Sequence, residues 1–406
     1  MQTVDVLIIG AGPVGLFLAC RLAQLGISFK ILEKRISRFE HSRSIGIHPP
    51  SLEKLGPLGV ADEIIGRGVQ IKRGRGFINT SHFGMLDFSI CPKPYNFVLS
   101  LPQYETEKIL EQRLCELAPG SLLRGVEVIN VQQSSECVRV ETRQYSVGDA
   151  RERLKAKIQS RNQSNQYFRK KSSPTMVFSG QFVVACDGKD SRVRQLEDIP
   201  FRGGDYPDTY LMGDFADNTD FGSDAAIYLT DDGLVESFPL AKGARRWVVK
   251  TDERVAHPNV EQLAALVRKR LRFDLPVETS TMLSSFGVQH YLADTFVSNR
   301  VLLVGDAAHV VSPIGGQGMN LGWLEAWDAA ETLETVLKDE QNTSEHLQSY
   351  DKKRRRVAKI VLSRAAFNMR MGRKTRFSFA KYAFARVLSS KPFARTMANM
   401  FTMRGL

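Results

Sequence analysis

The sequence contains few cysteines and no pattern that would use them. Five cysteines are scattered over 406 residues without a CxxC pair, at Cys20, Cys91, Cys115, Cys137 and Cys186. This spacing argues against a disulfide framework or a cysteine-based metal site and suits a reducing compartment. The sequence also lacks the run of about 18 apolar residues that a membrane-spanning helix needs. Met1 to Asp5 lack the basic and apolar regions of a secretion signal, so we expect a cytoplasmic protein without bound metal.

Acidic residues are absent from the end of the chain. The last 55 residues, from Lys352 to Leu406, hold 16 Lys or Arg and no Asp or Glu. The preceding 351 residues sum to −4, although they include a second basic run at 151–175 with eight Lys or Arg against one Glu. The net charge of +12 therefore comes from two local segments. The terminal segment could bind anionic lipid or an acidic carrier protein, or it could cap the body with solvated charges. No recognition motif supports nucleic-acid binding.

A strand, a helix and a second strand open the chain. Val4–Ile9 is an apolar run typical of a strand that is buried on both faces of a parallel sheet. Apolar residues then recur at helical spacing up to Gly26, and Ser28–Leu32 is a second buried strand that ends at Glu33. This βαβ unit predicts an α/β fold.

Later segments predict further helices and a second sheet. Between residues 206 and 286 short alternating segments indicate antiparallel strands. The basic run at 151–175 is rich in Ser, Asn, Gln and Lys, and we interpret it as an enlarged, mobile hairpin loop. The other predicted elements are helices at 51–58, 102–117, 260–272 and 321–337, strands Val126–Thr142, Met176–Cys186 and Val301–Val304, and helices in the terminal segment.

The turn between the first strand and the first helix carries three spaced glycines, in Gly10-Ala11-Gly12-Pro13-Val14-Gly15. Gly10 permits the tight turn, Gly12 lets the backbone approach a pyrophosphate, and Gly15 lets helix and strand pack closely. The helix start offers unpaired N–H groups and a positive dipole end to the phosphates. Glu33 can accept hydrogen bonds from ribose hydroxyls, and Lys34 follows it. These features predict a dinucleotide site.

Two later strands also end in polar turns. One runs into Asp187-Gly188-Lys189-Asp190-Ser191, which by itself is a common turn sequence. The other runs into Gly305-Asp306-Ala307-Ala308-His309 and then through Pro313-Ile314-Gly315-Gly316-Gln317-Gly318-Met319-Asn320 into an apolar helix. Glycines before a helix start form an anion-accepting nest, which suits the negative charge of a reduced flavin ring. In this order the three segments describe one FAD site assembled from distant parts of the chain.

From Val4 to about Leu337 the sequence resembles the class A FAD-dependent monooxygenases, the para-hydroxybenzoate hydroxylase-like aromatic hydroxylases. The resemblance implies a Rossmann-like FAD-binding domain of the glutathione-reductase type with an inserted antiparallel β-sheet substrate domain and C-terminal helices. It places the FAD-binding domain at 1–75, 98–200 and 286–340, the substrate domain at 76–97 and 201–285, and the basic C-terminal helices at 341–406.

The resemblance also implies cofactor-binding residues. Asp306, after Gly305, would bind the ribityl–pyrophosphate region, and Asp187-Gly188 would arrange FAD and the nicotinamide donor. Arg43 and Gln103 match single positions that contact FAD, whereas Glu325 departs from the aspartate usual in the family. The residues that would border the isoalloxazine are Pro313, Gly315, Gly316, Gln317, Gly318, Met319 and Asn320.

The activity implied is hydroxylation of an aromatic, phenolic or polyketide-like compound. NAD(P)H would reduce FAD, O₂ would form a flavin C4a-hydroperoxide, and an electron-rich carbon of the substrate would attack its distal oxygen. No catalytic residue is evident, although His48, His82 and His290 could act as bases toward a phenol. Met212, Phe215, Tyr228, Phe238 and Trp247 could form the substrate wall. Three alternatives remain open: a flavin-dependent halogenase, although its WxWxIP motif is missing, an isoprenoid reductase, and a flavin-binding protein without turnover.

Overall fold

The computed structural model describes residues 3–38, 44–145, 175–373 and 391–405. Two large sheets with surrounding helices make up most of it. The strands are β1 Thr3–Ile9, β2 Phe29–Glu33, β3 Gly46–Ile47, β4 Val69–Ile71, β5 Arg73–Ile78, β6 Ser81–Asp87, β7 Val98–Ser100, β8 Leu122–Arg124, β9 Val126–Gln133, β10 Val138–Gln144, β11 Thr175–Ala185, β12 Phe201–Ala216, β13 Ala225–Thr230, β14 Gly233–Leu240, β15 Ala244–Thr251, β16 Met282–Ala293, β17 Val297–Ser298, β18 Val301–Leu303 and β19 His309–Val310. The helices are α1 Pro13–Gln24, α2 Pro49–Leu55, α3 Ala61–Arg67, α4 Gln103–Leu117, α5 Arg192–Leu196, α6 Val260–Leu271, α7 Gln317–Lys338, α8 Thr343–Gly372 and α9 Lys391–Phe401.

The first sheet has a parallel centre. β1 pairs in parallel with β2 and β11, β2 with β8, and β11 with β18. The ends of β1, β11 and β18 that meet at this centre are apolar, because both faces of the sheet are covered there. Ile9 is level with Ala185, and Ala185 is level with Leu303. The three turns that follow β1, β11 and β18 therefore lie side by side at one edge of the sheet, where α/β folds bind ligands.

Helices α1 and α7 pack closely against each other beside this edge. A Cβ atom added to Gly322 of α7 would lie 2.6 Å from Val14 Cγ2 of α1. Trp323 Nε1 donates a hydrogen bond of 3.0 Å to the carbonyl oxygen of Pro13. This close packing fixes the start of α1 against α7 and so joins the first and third polar segments.

The second sheet has the strand order β19-β16-β12-β15-β14-β13-β5-β6 and is covered on both faces. Neighbouring strands are antiparallel except β5, which runs parallel to β13. One face packs on α6 through an apolar cluster that includes Trp247 and Leu263. The opposite face carries Met212 and Val248 and turns toward the first sheet's turns. Side chains on successive residues of these strands therefore lie in two different environments.

Two predicted boundaries are wrong in informative ways. The segment predicted as one strand, Val126–Thr142, is a hairpin of β9 and β10, and Ser134 Oγ accepts a hydrogen bond of 3.0 Å from Cys137 N in its turn. Helix α7 begins at Gln317, four residues before the predicted start, because Gly316 caps it in the left-handed conformation with φ of +63°. β10 and β11, which flank the basic run, pair antiparallel as a hairpin would. The run itself lies outside the described residues, apart from Thr175 at the start of β11.

Basic residues in the described part of the terminal segment bond to acidic residues of the body. Arg354 is only 6% exposed although it carries a full charge, so its partner is needed to offset burial. None of the described helices is long and apolar enough to cross a bilayer. The ion pairs join Lys353 and Arg354 to Asp328, Arg373 to Asp208, and Arg404 to Glu53.

Candidate functional site

A cavity of about 940 Å³ runs from the edge of the first sheet to the inner face of the second. Its walls bring together residues of all three polar segments, although these are far apart in the chain. Arg43 lies outside the described residues, and Gly15, Gly305, Gln317 and Asn320 lie behind the wall. The predicted site residues that line the cavity are Gly10, Gly12, Pro13, Val14, Glu33, Lys34, Gln103, Asp187, Gly188, Asp306, Pro313, Gly315, Gly316, Gly318 and Met319.

The three glycines of the first segment have different surroundings. Gly10 has φ of +102°, and a Cβ there would lie 2.5 Å from the carbonyl oxygen of Cys186. A Cβ at Gly15 would lie 2.1 Å from the carbonyl oxygen of Gly10. At Gly12, by contrast, no atom lies within 4 Å of an added Cβ. Gly10 and Gly15 are thus required by the fold, whereas the space beside Gly12 belongs to the cavity and is available to a ligand.

Glu33 is a buried, ionised acceptor at one end of the cavity. Its Oε2 accepts a hydrogen bond of 2.7 Å from Ala11 N, and its Oε1 accepts from Arg35 N and Nε at 2.8 and 3.0 Å. Burial opposes its ionisation, but the Arg35 guanidinium and these N–H groups outweigh burial and hold the pKa of Glu33 below its usual value. Carboxylate oxygens retain further lone pairs, so Glu33 can also accept from a ribose hydroxyl.

Asp187 closes the second segment against the start of α5. Its Oδ2 accepts hydrogen bonds from Arg192 N at 2.8 Å and Val193 N at 3.3 Å. Its Oδ1 is buried without a hydrogen-bond partner among the described residues. Burial raises the pKa of Asp187 despite these bonds. A ligand that supplies a donor to Oδ1 would remove the cost of this unsatisfied atom.

Arg194 holds the second and third segments together, a role that the sequence did not reveal. Its side chain is 5% exposed, and its Nη1 donates to Ala307 O while Nη2 donates to Lys189 O, both at 2.9 Å. The guanidinium carbon also lies 3.6 Å from the centre of the Phe201 ring. Arg194 therefore sets the distance between the turn after β11 and the turn after β18.

Glu325 and His309 form a fully buried pair behind the third segment. Glu325 Oε1 lies 2.7 Å from His309 Nε2, and Glu325 Oε2 accepts a hydrogen bond of 3.0 Å from Gly305 N. Burial lowers the pKa of His309, but the adjacent Glu325 carboxylate outweighs burial and raises it above its usual value. One carboxylate thus fixes both the Gly305 turn and the imidazole, and the departure from aspartate seen in the sequence has a geometric use.

Asn320 and His48 anchor the loop that precedes α7. Asn320 Oδ1 accepts from His48 N at 2.8 Å, and its Nδ2 donates to Gly46 O at 2.9 Å and Gly316 O at 2.7 Å. His48 Nε2 lies 2.9 Å from Gly315 O and must donate there, because a carbonyl oxygen only accepts. Burial lowers the pKa of His48 to about 4. The imidazole is therefore neutral at neutral pH, and His48 lines the cavity with its Nδ1 buried and without a hydrogen-bond partner among the described residues.

The remaining predicted bases and Gln103 have other surroundings. His82 is exposed, and the ring of His290 lies against that of Tyr206, tilted by 35° with ring centres 4.4 Å apart; neither histidine lines the cavity. Gln103 Nε2 donates to Glu107 Oε1 at 2.8 Å. Glu107 is buried at the cavity wall, where burial raises its pKa, and it was not predicted from the sequence.

The far end of the cavity is largely apolar. Met212 and Phe238 line it as predicted, but Phe215, Tyr228 and Trp247 do not, and that prediction is wrong. These three side chains lie on the opposite face of the second sheet and pack on α6, because side chains alternate along each strand. Helices α8 and α9 also contribute to the wall. The apolar lining residues are Phe83, Met85, Met212, Ile227, Leu229, Leu234, Phe238, Val248, Phe286, Ile314, Phe367, Met397 and Phe401.

One carboxylic acid, Glu236 of β14, interrupts this apolar wall. It is 5% exposed, and burial raises its pKa to about 7. Two arginines line the same end, but both bond aspartates: Arg246 Nε donates to Asp214 Oδ1 at 2.7 Å, and Arg75 Nε donates to Asp224 Oδ2 at 2.9 Å. Within the described residues no three His, Cys, Asp or Glu side chains are arranged to hold a metal ion.

Comparisons with known proteins agree with this geometry. The model of the family described as "FAD binding domain" matches residues 3–365. The chain is 28% identical to a rifampicin monooxygenase of Streptomyces venezuelae, over 80% of this chain and 62% of that protein. It is 30% identical to a 6-methylpretetramide 4-monooxygenase of Streptomyces rimosus, over 82% of this chain and 56% of that protein. The chain therefore spans about three fifths of the length of these curated relatives.

A solved structure shares the fold over nearly the whole chain. The crystal structure of p-nitrophenol 4-monooxygenase from Pseudomonas putida superposes with a TM-score of 0.84 and 21% identity, and the match covers 99% of both chains. Both chains have a mixed α/β architecture. With the family match over residues 3–365, the comparisons establish that this chain belongs to the FAD binding domain family, and within it to the class A FAD-dependent monooxygenases.

Proposed function

We propose that this protein is a monooxygenase that uses FAD, NAD(P)H and O₂ to hydroxylate an aromatic, phenolic or polyketide-like compound. The observation that carries the proposal is the continuity of the cavity. It joins the open space beside Gly12 and Glu33 to an apolar chamber of substrate size. The similar proteins are named as monooxygenases of rifampicin, 6-methylpretetramide and p-nitrophenol, and an apolar chamber suits organic substrates of this kind.

The residues along the cavity fit FAD. Gly12 leaves room for a pyrophosphate, and Glu33 offers an acceptor to the adenosine ribose. Asp306 and the Pro313–Gly316 loop line the same cavity. Asp187 Oδ1, at the cavity wall, has no hydrogen-bond partner in the described residues. Bound FAD would supply the redox chemistry that couples NAD(P)H oxidation to oxygen insertion.

The protein's own contribution is position and exclusion of water. The apolar side chains of β12–β16, α8 and α9 would hold an aromatic substrate and keep water from the reaction. We further propose that residues 1–75, 98–200 and 286–340 form the FAD-binding domain, that 76–97 and 201–285 form the substrate domain, and that 341–406 are C-terminal helices. The first sheet and the second sheet fall mainly into these two parts. One GxGxxG segment suggests that NAD(P)H reaches the flavin without a second nucleotide-binding domain.

The test is anaerobic reduction of the FAD-supplemented protein by NADPH or NADH across a panel of phenolic compounds. We expect the bound flavin to bleach, and one class of compound to accelerate bleaching by at least about tenfold. When air is readmitted, the amount of oxygen consumed should equal the amount of hydroxylated product formed. A protein that holds no flavin, or whose flavin is never reduced, would contradict the proposal.

The same experiment separates the alternatives. A reductase would bleach its flavin but would not consume oxygen in step with product. A halogenase would require halide for product formation. A flavin-binding protein without turnover would keep its flavin oxidised with every compound.

Contact of the basic terminal segment with anionic lipid or an acidic carrier protein stays a prediction from net charge. The ion pairs of Lys353, Arg354, Arg373 and Arg404 with acidic residues of the body favour the other interpretation, that these helices cap the fold. We therefore expect no co-sedimentation with anionic liposomes at low salt. Binding that disappears at high salt would restore the lipid interpretation.

A further inference from the structure

Glu236 lies at the centre of the apolar wall. It belongs to β14, on the inner face of the second sheet. Its cross-strand partners are Val248 of β15 on one side and Ile227 of β13 on the other. Val248 is paired in turn with Met212 of β12. Cross-strand partners share a face, so this row of side chains is apolar except for one carboxyl group. All four residues line the cavity.

The charged groups near Glu236 are bonded to others. Two residues before Val248 on β15, Arg246 is held by Asp214 of β12 through two hydrogen bonds of 2.7 and 2.8 Å. Two residues after Val248, Lys250 Nζ lies 3.6 Å from Oδ1 of Asp208 on β12.

Asp208 also bonds Arg373, at the end of α8, and Arg75 of β5 bonds Asp224. Tyr210 of β12 is buried, and the Glu236 charge contributes to raising its pKa. Within the described residues the carboxyl group of Glu236 takes part in no hydrogen bond or ion pair.

A buried carboxyl group without a partner is costly and does nothing for the fold. An ionised carboxylate in apolar surroundings lacks the donors that water would provide. Its burial among Val248, Ile227 and Met212 is the cause of its high pKa, near 7. Near neutral pH the group can therefore both accept and release a proton, which is the property required of a general base. A donor is needed to satisfy it, and the cavity is the direction from which a donor can come.

We propose that Glu236 binds the hydroxyl group of a phenolic substrate and removes its proton. The proposal rests on the proposed function and specifies its substrate as a neutral phenol. In the step, the phenolic O–H bond breaks, the proton passes to a Glu236 carboxylate oxygen, and the electron pair remains on the phenolic oxygen. Delocalisation into the ring makes the ring carbons more electron-rich toward an oxygen donor. A benzoate would be disfavoured, because its carboxylate would face Glu236 while Arg246 and Arg75 are already bonded to aspartates.

The first experiment measures binding and needs no turnover. FAD-supplemented protein at pH 8 is titrated with 4-methylphenol, an ordinary phenol that keeps its proton at this pH, and, separately, with 4-methylanisole, which has the same ring but no hydroxyl donor. Equilibrium dialysis gives each dissociation constant. A hydrogen bond to a charged acceptor predicts that the phenol binds about ten- to a hundredfold more tightly than its methyl ether. In Glu236→Leu this preference should fall below about threefold, whereas Glu253→Gln, which removes an exposed carboxylate nearby in sequence, should retain it.

Two outcomes of this experiment would overturn the proposal. One is equal binding of the phenol and the methyl ether by the unchanged protein. The other is a preference that survives in Glu236→Leu. The far-ultraviolet circular dichroism spectrum and the retained FAD of each variant establish that it is folded. The two dissociation constants are measured without oxygen insertion, so this result stands whether or not the monooxygenase activity is found.

The second experiment tests proton transfer through Glu236→Gln, which keeps the shape and an acceptor oxygen but cannot take a proton. In the unchanged protein, phenol hydroxylation should rise with pH through an apparent pKa of about 7, since Glu236 must be ionised to act. In Glu236→Gln the rate at pH 8 should fall by about 10² to 10⁴ and lose this limb of the profile, while phenol binding changes by less than tenfold. An unchanged pH profile in Glu236→Gln would overturn the catalytic role. Absence of turnover in every variant would instead count against the proposed function.

Discussion

Replacing Gly12 with alanine is expected to leave the protein folded but to weaken FAD binding at least tenfold. The added methyl group meets no protein atom within 4 Å, so it enters the space that a pyrophosphate would occupy. Each charged hydrogen bond lost by displacing the phosphates is worth about 1.5–3 kcal/mol. Gly15→Ala should behave differently, because its Cβ would lie 2.1 Å from the carbonyl oxygen of Gly10. There we expect the free energy of unfolding to fall by about 3 kcal/mol or more, together with FAD binding.

Urea unfolding of the flavin-free proteins and fluorescence titration with FAD separate the two effects. Gly66→Ala is a suitable control, since Gly66 lies in α3 with open space around it. That change should leave FAD binding unaltered and alter stability by no more than about 1 kcal/mol. If Gly12→Ala bound FAD as tightly as the unchanged protein, the dinucleotide site would have to lie elsewhere in the cavity.

Replacing Glu325 with alanine is expected to lower the free energy of unfolding by about 3–5 kcal/mol. The change leaves His309 buried without its carboxylate and Gly305 N without an acceptor. Breaking a buried pair on one side costs this much because the remaining polar group stays desolvated. The free energy of unfolding of Glu325→Asp should lie between those of the unchanged protein and Glu325→Ala. A side chain shorter by one methylene cannot reach both His309 and Gly305 in their present positions. The displaced Gly305–Asp306 turn should also weaken FAD binding.

The contribution of the His309–Glu325 pair to the free energy of unfolding should fall as pH rises. His309 has a pKa that is raised in the folded protein above its ordinary value of 6.5. The resulting stabilisation is fully present below the unfolded pKa, and it is lost as pH rises through the folded pKa. Urea unfolding between pH 6 and 9 should therefore show a loss of stability that is smaller in Glu325→Ala. A loss of the same size in both proteins would show that the His309–Glu325 pair is not its source.

The fold of the first sheet could be predicted because its signals are local. Val4–Ile9 and Val301–Val304 are largely apolar runs, as expected for strands that are buried on both faces of a sheet. Each run leads directly into a glycine turn. The hairpin within 126–142 was missed because its short turn around Ser134 interrupts an otherwise strand-like segment. The sequence therefore located the edge of the sheet at which the turns meet, but not every boundary on the way to it.

The chamber could not be predicted to the same extent. Both faces of the second sheet are covered, so apolar residues occupy both and alternation cannot tell which face lines the cavity. Trp247 was for this reason assigned to the wrong side, and Glu236 was overlooked within the apolar segment Leu234–Phe238. Arg194 likewise acts through Ala307 O, a partner more than a hundred residues away that no local pattern reveals.

The central parallel pairings bear on how this protein matures. Thr3 is level with Ser179, and Val183 is level with Val301, so the sheet closes only when very distant segments of the chain meet. Such non-local pairing makes folding slow and lets partly folded species accumulate. Residues of all three turns line the cavity proposed to hold FAD, so a chain that has not closed its sheet would offer the cofactor only fragments of that site. The ratio of retained flavin to protein in a preparation consequently reports the fraction of molecules that have reached the native topology, and supplying FAD during refolding should draw the population toward it.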